Sequence, residues 1–169
     1  MPAAIIRAMS TLPDVTVAAL AEERGRFLVV EERIARRRVF NQPAGHVEPG
    51  ETLAEAVARE TREETAWRFT CESFLGAYLW RHPRSGRASL RFAFIGHVTD
   101  HDASQPLDHG ILRTHWLTRA QLIERSARLR SPLVLRCVDD YLSGRRLPLS
   151  TVAHLDMDGA RAVPAVDVQ

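Results

Sequence analysis

Gly45-His46-Val47-Glu48-Pro49-Gly50-Glu51-Thr52, followed six residues later by Arg59-Glu60-Thr61-Arg62-Glu63-Glu64, is the stretch that decides the reading of this chain. Gly45 and Gly50 let the backbone turn tightly and come close to a ligand. Thr52 with Glu55 three positions on is a capping-box signature, so a helix is expected over residues 53–65. At 100° per residue, Glu60, Glu63 and Glu64 then project into an arc of roughly 100°, beside an apolar side of Leu53, Val57 and Thr61. Like charges at this spacing cost an isolated helix about 0.2–0.5 kcal/mol per pair. A solvated acidic stripe relieved by Arg59 and Arg62 is one explanation. A site for a hard divalent cation, which needs several oxygen ligands, is the other. The glycine loop with its own acid, Glu51, favours the second.

The charge balance of the chain supports a localised acidic site. Net charge is +2, whereas residues 45–66 hold six Glu against two Arg, so the remainder is basic. An acidic pocket in a basic protein suits a metal ion bound together with an anionic substrate. All 23 basic residues are Arg and none is Lys. A lysine Schiff base, a P-loop lysine and the kinase strand lysine are therefore excluded. Any direct cationic contact to a substrate comes from guanidinium, which is always charged and binds phosphate in two-pronged fashion. A charge of +2 also lacks the basic excess of a dedicated binder of nucleic-acid polymers.

Other motifs are incomplete. His46 and Glu48 make half of a zinc-deaminase signature, but no Pro-Cys-x-x-Cys follows. Asp100 and Asp102 begin like a calcium loop that lacks its central Gly, and there is no Gly-x-Ser-x-Gly elbow. Cys71 and Cys137 are too few for a disulfide framework and read as small core residues in a reducing compartment. No apolar run reaches membrane-spanning length, and residues 1–13 lack a secretory pattern, so no membrane association and a cytoplasmic location are expected.

The 169 residues suit a single domain. Residues 15–20 and 27–30 read as a hairpin across Glu22-Glu23-Arg24-Gly25, followed by an Arg- and Asn-rich loop. Residues 74–80 and 90–98 read as strands, residues 101–110 as a polar loop, and His115-Trp116-Leu117 as a short strand. Thr118 with Gln121 starts a second helix. Ser131-Pro132 starts a third, with Ser as N-cap and Pro as first helical residue, ending at Gly144. An N-terminal extension over 1–13, a domain over 14–155 and a loosely ordered tail over 156–169 are expected. Strands interspersed with helices indicate an α/β or α+β fold.

Gly45, Glu51, Arg59, Glu60, Glu63 and Glu64 occupy, at matching spacing, the polar positions of the Nudix box, and the chain resembles that family. The likeness extends to Phe27-Leu28-Val29-Val30-Glu31-Glu32, Asn41-Gln42-Pro43-Ala44-Gly45-His46, Leu90-Arg91-Phe92 and residues 129–134 and 143–149, which are similar to its NudJ-type phosphatase branch. The resemblance implies an α/β/α sandwich around a mixed sheet. It implies Mg²⁺- or Mn²⁺-dependent hydrolysis of phosphoanhydride bonds in a small di- or triphosphate. For the branch, the substrates implied are nucleoside di- and triphosphates and hydroxymethylpyrimidine diphosphate, with release of orthophosphate.

By the same resemblance, Glu60, Glu63, Glu64 and the carbonyl of Ala44 are the metal ligands, and Glu51 and Arg59 orient them. Glu60, Glu64 or, third, Glu51 serves as general base. Arg91, Trp80 and Asp108 are candidate substrate contacts, whereas Trp116 reads equally as core. Pyrophosphate release from another nucleoside diphosphate derivative and a non-catalytic nucleotide-binding module are the alternative functions. The box places Gly where this chain has Ala66. If the helix ends in a left-handed cap there, Ala66→Gly should stabilise the fold by on the order of 1 kcal/mol.

Overall fold

The computed structural model describes residues 12–156 and 159–161. The chain opens with β1 (Asp14–Glu23) and β2 (Arg26–Ile34), joined through Arg24 and Gly25, both at positive φ. The expected hairpin exists only near its turn. Glu22 pairs with Phe27 and Glu23 with Arg26, and beyond these pairs the two strands part. β1 runs parallel to β6 (Ala88–Thr99) and antiparallel to β4 (Ala44–His46). β2 runs antiparallel to β3 (Arg37–Asn41) and β7 (Ile111–Thr118). β5 (Arg68–Arg81) pairs antiparallel with β6 and completes a mixed seven-stranded sheet.

Both faces of this sheet are covered, which is why residues 17–21 and 27–30 are apolar without alternation. On one side Val17, Ala19, Ala21, Leu28 and Phe94 pack with Ala56 and Val57 of α1 (Leu53–Thr65). On the other, Leu20, Val29, Ala93 and Ile95 pack with Leu122 of α2 (Arg119–Glu124) and with Val134, Cys137 and Val138 of α3 (Leu133–Leu142). The helix–sheet–helix layering expected of the fold is therefore present. Both cysteines are free and buried, as expected of small core residues.

The helix starts follow the sequence closely. Thr52 Oγ1 accepts from the N–H of Glu55 at 3.2 Å while the Glu55 carboxylate accepts from the N–H of Thr52 at 2.7 Å. The same reciprocal pair joins Thr118 and Gln121. Pro132 has helical dihedrals, and Ser131 Oγ accepts from the N–H of Leu133, as an N-cap should. α1 ends at Ala66 with φ 59° and ψ 12°, the left-handed geometry that the box glycine would ordinarily supply.

Three segments differ from expectation. The Arg- and Asn-rich loop contains β3, whose Arg37 and Arg38 face solvent while Val39, Phe40 and Asn41 are buried. The start of the glycine loop is β4, held against β1 by pairing of Ala18 with Ala44 and Val17 with Gly45. β5 begins at Arg68 rather than at 74, with register shifts at Cys71/Ser73 and Phe74/Gly76 that disrupt its alternation. At the other end, β8 (His154–Asp156) pairs with β9 (Gly159–Arg161). Residues 1–11, most of the expected extension, and 162–169 of the expected tail lie outside the described residues. Among the described residues, no helix is long and apolar enough to cross a membrane.

Candidate active site

Pairing of β4 with β1 brings the glycine loop under the last turns of α1. The N–H of Ala44 donates to Glu64 Oε2 at 2.8 Å. Gly45 is in contact with Glu60: a Cβ built at this glycine would lie 2.1 Å from the Glu60 carboxylate. Only glycine permits this approach, so the position of Gly45 in the motif has a steric cause.

Arg59 organises the acids. Its Nε and Nη2 donate to the two oxygens of Glu51 at 3.0 and 2.7 Å, a two-pronged ion pair. Nη1 donates to Glu60 at 2.9 Å and Glu63 at 3.0 Å, and Nη2 also reaches the carbonyl of His46 at 2.9 Å. The hydrogen bond from Arg59 holds Glu51 below the usual carboxylate range, despite partial burial. Glu48 N–H adds a further bond to Glu51 at 2.7 Å. Glu51 is thereby a fixed carboxylate with both oxygens engaged, suited to orientation rather than to proton transfer.

Glu64 is different. It is 8% exposed and, among the described residues, has no cationic hydrogen-bond partner. Burial pushes its carboxyl up to about 8, with the neighbouring charges of Glu60, Glu32 and Asp108 acting in the same direction. Burial also raises Glu60, against the pull of Arg59. Asp108 belongs to this cluster: its N–H donates to the carbonyl of Glu63 at 2.9 Å, and its charge acts on both Glu60 and Glu64.

An oxygen-only donor set with a buried, unneutralised carboxylate fits a hard divalent cation in kind. The side chains are not gathered for one as they stand. Among the described residues no group of three His, Cys, Asp or Glu is placed to hold a metal ion. The guanidinium of Arg59 lies between Glu60 and Glu63, with Nη1 at 2.9 and 3.0 Å from their carboxylates.

Ala44 and Gly45 also border a cleft of about 650 Å³. Asp14 and Thr16 of β1 and Glu32 and Ile34 of β2 line it, so it occupies the space where these two strands have parted. Trp80 and Arg91 line it too. Arg91 is buried, and its Nη1 and Nη2 donate to Gln42 Oε1 at 3.1 Å and Asn41 Oδ1 at 3.2 Å. The residue expected to meet substrate directly therefore has both terminal nitrogens committed to the protein. Arg87, in the connection between β5 and β6, pairs with Asp14, and Arg81 bonds the carbonyl of Gly86. Trp116 packs against the core on the α1 side.

Sequence reasoning missed Glu32, Arg130 and Ser131 as cleft residues. The Glu31-Glu32 pair is uninformative by itself, because adjacent strand residues face opposite sides. Glu31 is buried among Arg113, His115 and Arg128: burial alone would raise its carboxyl, but the hydrogen bond from His115 and these charges hold it below the usual range. Glu32 faces the cleft.

The sandwich with the box at one end of a cleft defines a class. The NUDIX domain family model matches residues 11–137, and the chain belongs to the Nudix hydrolases. It is a NudJ-like phosphatase, a hydrolase acting on phosphoanhydride bonds. It is 38% identical over 151 residues to Phosphatase NudJ of Escherichia coli K12, covering 89% of this chain and 97% of that protein. A NUDIX hydrolase structure from Nitrosomonas europaea superimposes with a TM-score of 0.84 at 40% identity, over 86% of this chain and 99% of that one. The MutT protein of Methanosarcina mazei Go1, with a TM-score of 0.64 at 21% identity over 82% of this chain and 100% of that one, shares the fold. Nudix hydrolases generally use divalent metal ions.

Proposed function

We propose that this enzyme is a Mg²⁺-dependent phosphatase that removes orthophosphate from nucleoside di- and triphosphates and from hydroxymethylpyrimidine diphosphate, with Mn²⁺ an acceptable substitute. One observation carries the reading: the Ala44–Gly45 backbone, whose Ala44 N–H bonds the buried carboxylate of Glu64, borders a cleft of about 650 Å³ whose wall bears an aromatic side chain, Trp80. Its volume matches an ordinary small-molecule site. Two free, buried thiols accord with a cytoplasmic setting.

Glu60, Glu63, Glu64 and the Ala44 carbonyl would hold the ion. When bound, it lowers the pKa of water and neutralises charge on the phosphate oxygens. The protein's own groups do the rest. Arg59 fixes Glu51 and restrains Glu60 and Glu63, so that few carboxylate rotamers remain to be ordered. Glu64, the least solvated of the acids, is the group whose affinity for a proton is greatest, which favours it over Glu51 as general base. Asp108 adds negative charge on the loop side of Glu60 and Glu64, and Trp80 lies ready to contact a ring.

The test is a panel of diphosphates and triphosphates with Mg²⁺, assayed separately for orthophosphate and pyrophosphate. Orthophosphate supports the proposal. Pyrophosphate would move the enzyme to the pyrophosphohydrolase reading, and binding without release to a non-catalytic module. Glu63→Gln and Glu64→Gln should each lower turnover at least about a hundredfold with the fold retained. Near-normal rates in both would overturn the ligand assignment.

A further inference from the structure

Among the described residues, two buried polar atoms at the cleft have no hydrogen-bond partner: Glu32 Oε1 and Arg91 Nε. Unmade hydrogen bonds of buried groups are costly and rarely left without a use. Arg91 cannot turn to improve its position, since its other nitrogens are fixed on Gln42 and Asn41, and Gln42 is itself anchored to the carbonyl of Val134 at 2.8 Å. Among the described residues, the ion partner of Glu32 is Arg130, whose Nε lies 3.8 Å from Oε1, beyond hydrogen-bond reach. Its last torsion is broad, so either carboxylate oxygen can be presented to the cleft. Burial raises its carboxyl, and the charges of Arg130 and Arg91 pull the other way.

An aromatic wall accompanies this acceptor. In the β5–β6 ladder Trp80 stands opposite Ser89 and Tyr78 opposite Arg91. Positions two apart on one strand share a face, so Trp80 and Arg91 project from the same face of the sheet. The indole of Trp80 and the carboxylate of Glu32 both line the cleft.

We infer that Glu32 reads the ring of the substrate, accepting a hydrogen bond from an exocyclic amino group, with Trp80 against the ring face. The cleft thereby selects amino-substituted heteroaromatic rings over oxo-substituted ones. An oxo group in the same place sets a second acceptor against the carboxylate. This deepens the proposed phosphatase function and rests on a small aromatic diphosphate or triphosphate being the substrate.

Cytidine and uridine compounds differ at this edge by amino against oxo. The experiment measures kcat/KM for CTP and UTP with Mg²⁺, and equilibrium dissociation constants for CMP and UMP with metal chelated. Native enzyme should prefer the cytidine compound by on the order of tenfold or more in both assays, with the kinetic difference mainly in KM. Glu32→Gln, which breaks no existing hydrogen bond of Oε1, should bring both ratios to near one, and Glu32→Ala should do the same. Trp80→Ala should weaken CMP and UMP alike.

Equal use and equal binding of the two series by the native enzyme overturn the inference and leave the phosphatase function standing. No phosphate release from either, with a CMP preference that Glu32→Gln removes, overturns the phosphatase function and leaves the inference standing. A preference that survives both Glu32 variants overturns the role of Glu32. Unchanged affinities in Trp80→Ala overturn that of the indole.

Discussion

Glu64→Gln should make the metal-free protein more stable while removing its activity. In the native chain the Glu64 carboxyl titrates near 8, against a reference value of 4.5 for an unhindered group. Between those two pH values the folded protein holds a proton that the unfolded chain has released. Stability therefore falls as pH rises through this window, by up to about 1.4 kcal/mol per pH unit. At pH 7.5 the cost of keeping Glu64 in its buried place amounts to about 2–4 kcal/mol. Gln keeps the oxygen that accepts the Ala44 N–H and cannot ionise, so it escapes the cost. Allowing for imperfect accommodation of the amide, the variant should gain about 1–3 kcal/mol at pH 7.5, or roughly 3–10 °C in melting temperature.

Thermal unfolding in chelator, from pH 4.5 to 8.5, measures this directly. The two proteins should melt together at the acid end and separate as pH rises. Added Mg²⁺ should raise the native enzyme more than the variant at pH 7.5, because a ligand that binds only the folded state stabilises it. Coincident melting curves across the range, or a native enzyme that gains stability toward pH 8 without metal, would refute the burial argument for Glu64.

Gly45→Ala should drive the Glu60 carboxylate out of its place against the loop, lowering turnover about a hundredfold or more while circular dichroism stays unchanged, because the clash is with a side-chain tip. Ala66→Gly should relieve left-handed backbone strain at the end of α1. The methyl group lost is itself buried, so a gain of up to about 1 kcal/mol in urea unfolding is expected, and a loss would show that its packing outweighs the strain. Glu51→Gln weakens the two-pronged pair that aims Arg59, and should lower kcat roughly tenfold to a hundredfold with little change in KM.

The helices and their caps were legible because each is specified by neighbours in sequence. Thr52 with Glu55, Thr118 with Gln121 and Ser131 with Pro132 carry their own geometry within a turn. β3 was not, because Arg36-Arg37-Arg38 is no strand pattern: it is extended by pairing with β2, and only Val39 and Phe40 contribute to the core. β4 depends wholly on β1, from which it is distant in sequence. The acids of α1 could be placed from spacing alone, whereas the cleft could not. Glu32, Trp80 and Arg91 come from β2, β5 and β6 and meet only because β1 and β2 separate after two residue pairs. Arg91 was singled out as a substrate contact, and its burial and its bonds to Gln42 and Asn41 are facts of packing that no local pattern carries.

The grip of Arg59 on three carboxylates has a consequence for how any divalent ion enters. On the proposed ligand assignment, loading would be an exchange of partners: Glu60 and Glu63, now paired with the Arg59 guanidinium, would have to release it in order to coordinate. Because that guanidinium stays charged at every accessible pH, acid or base cannot release it first. The work of that separation would be drawn from the ion's affinity and would weaken its hold. With no ion bound, the same internal cation keeps Glu51, Glu60 and Glu63 from repelling one another. Arg59 thus acts as a built-in counter-charge for the acidic cluster.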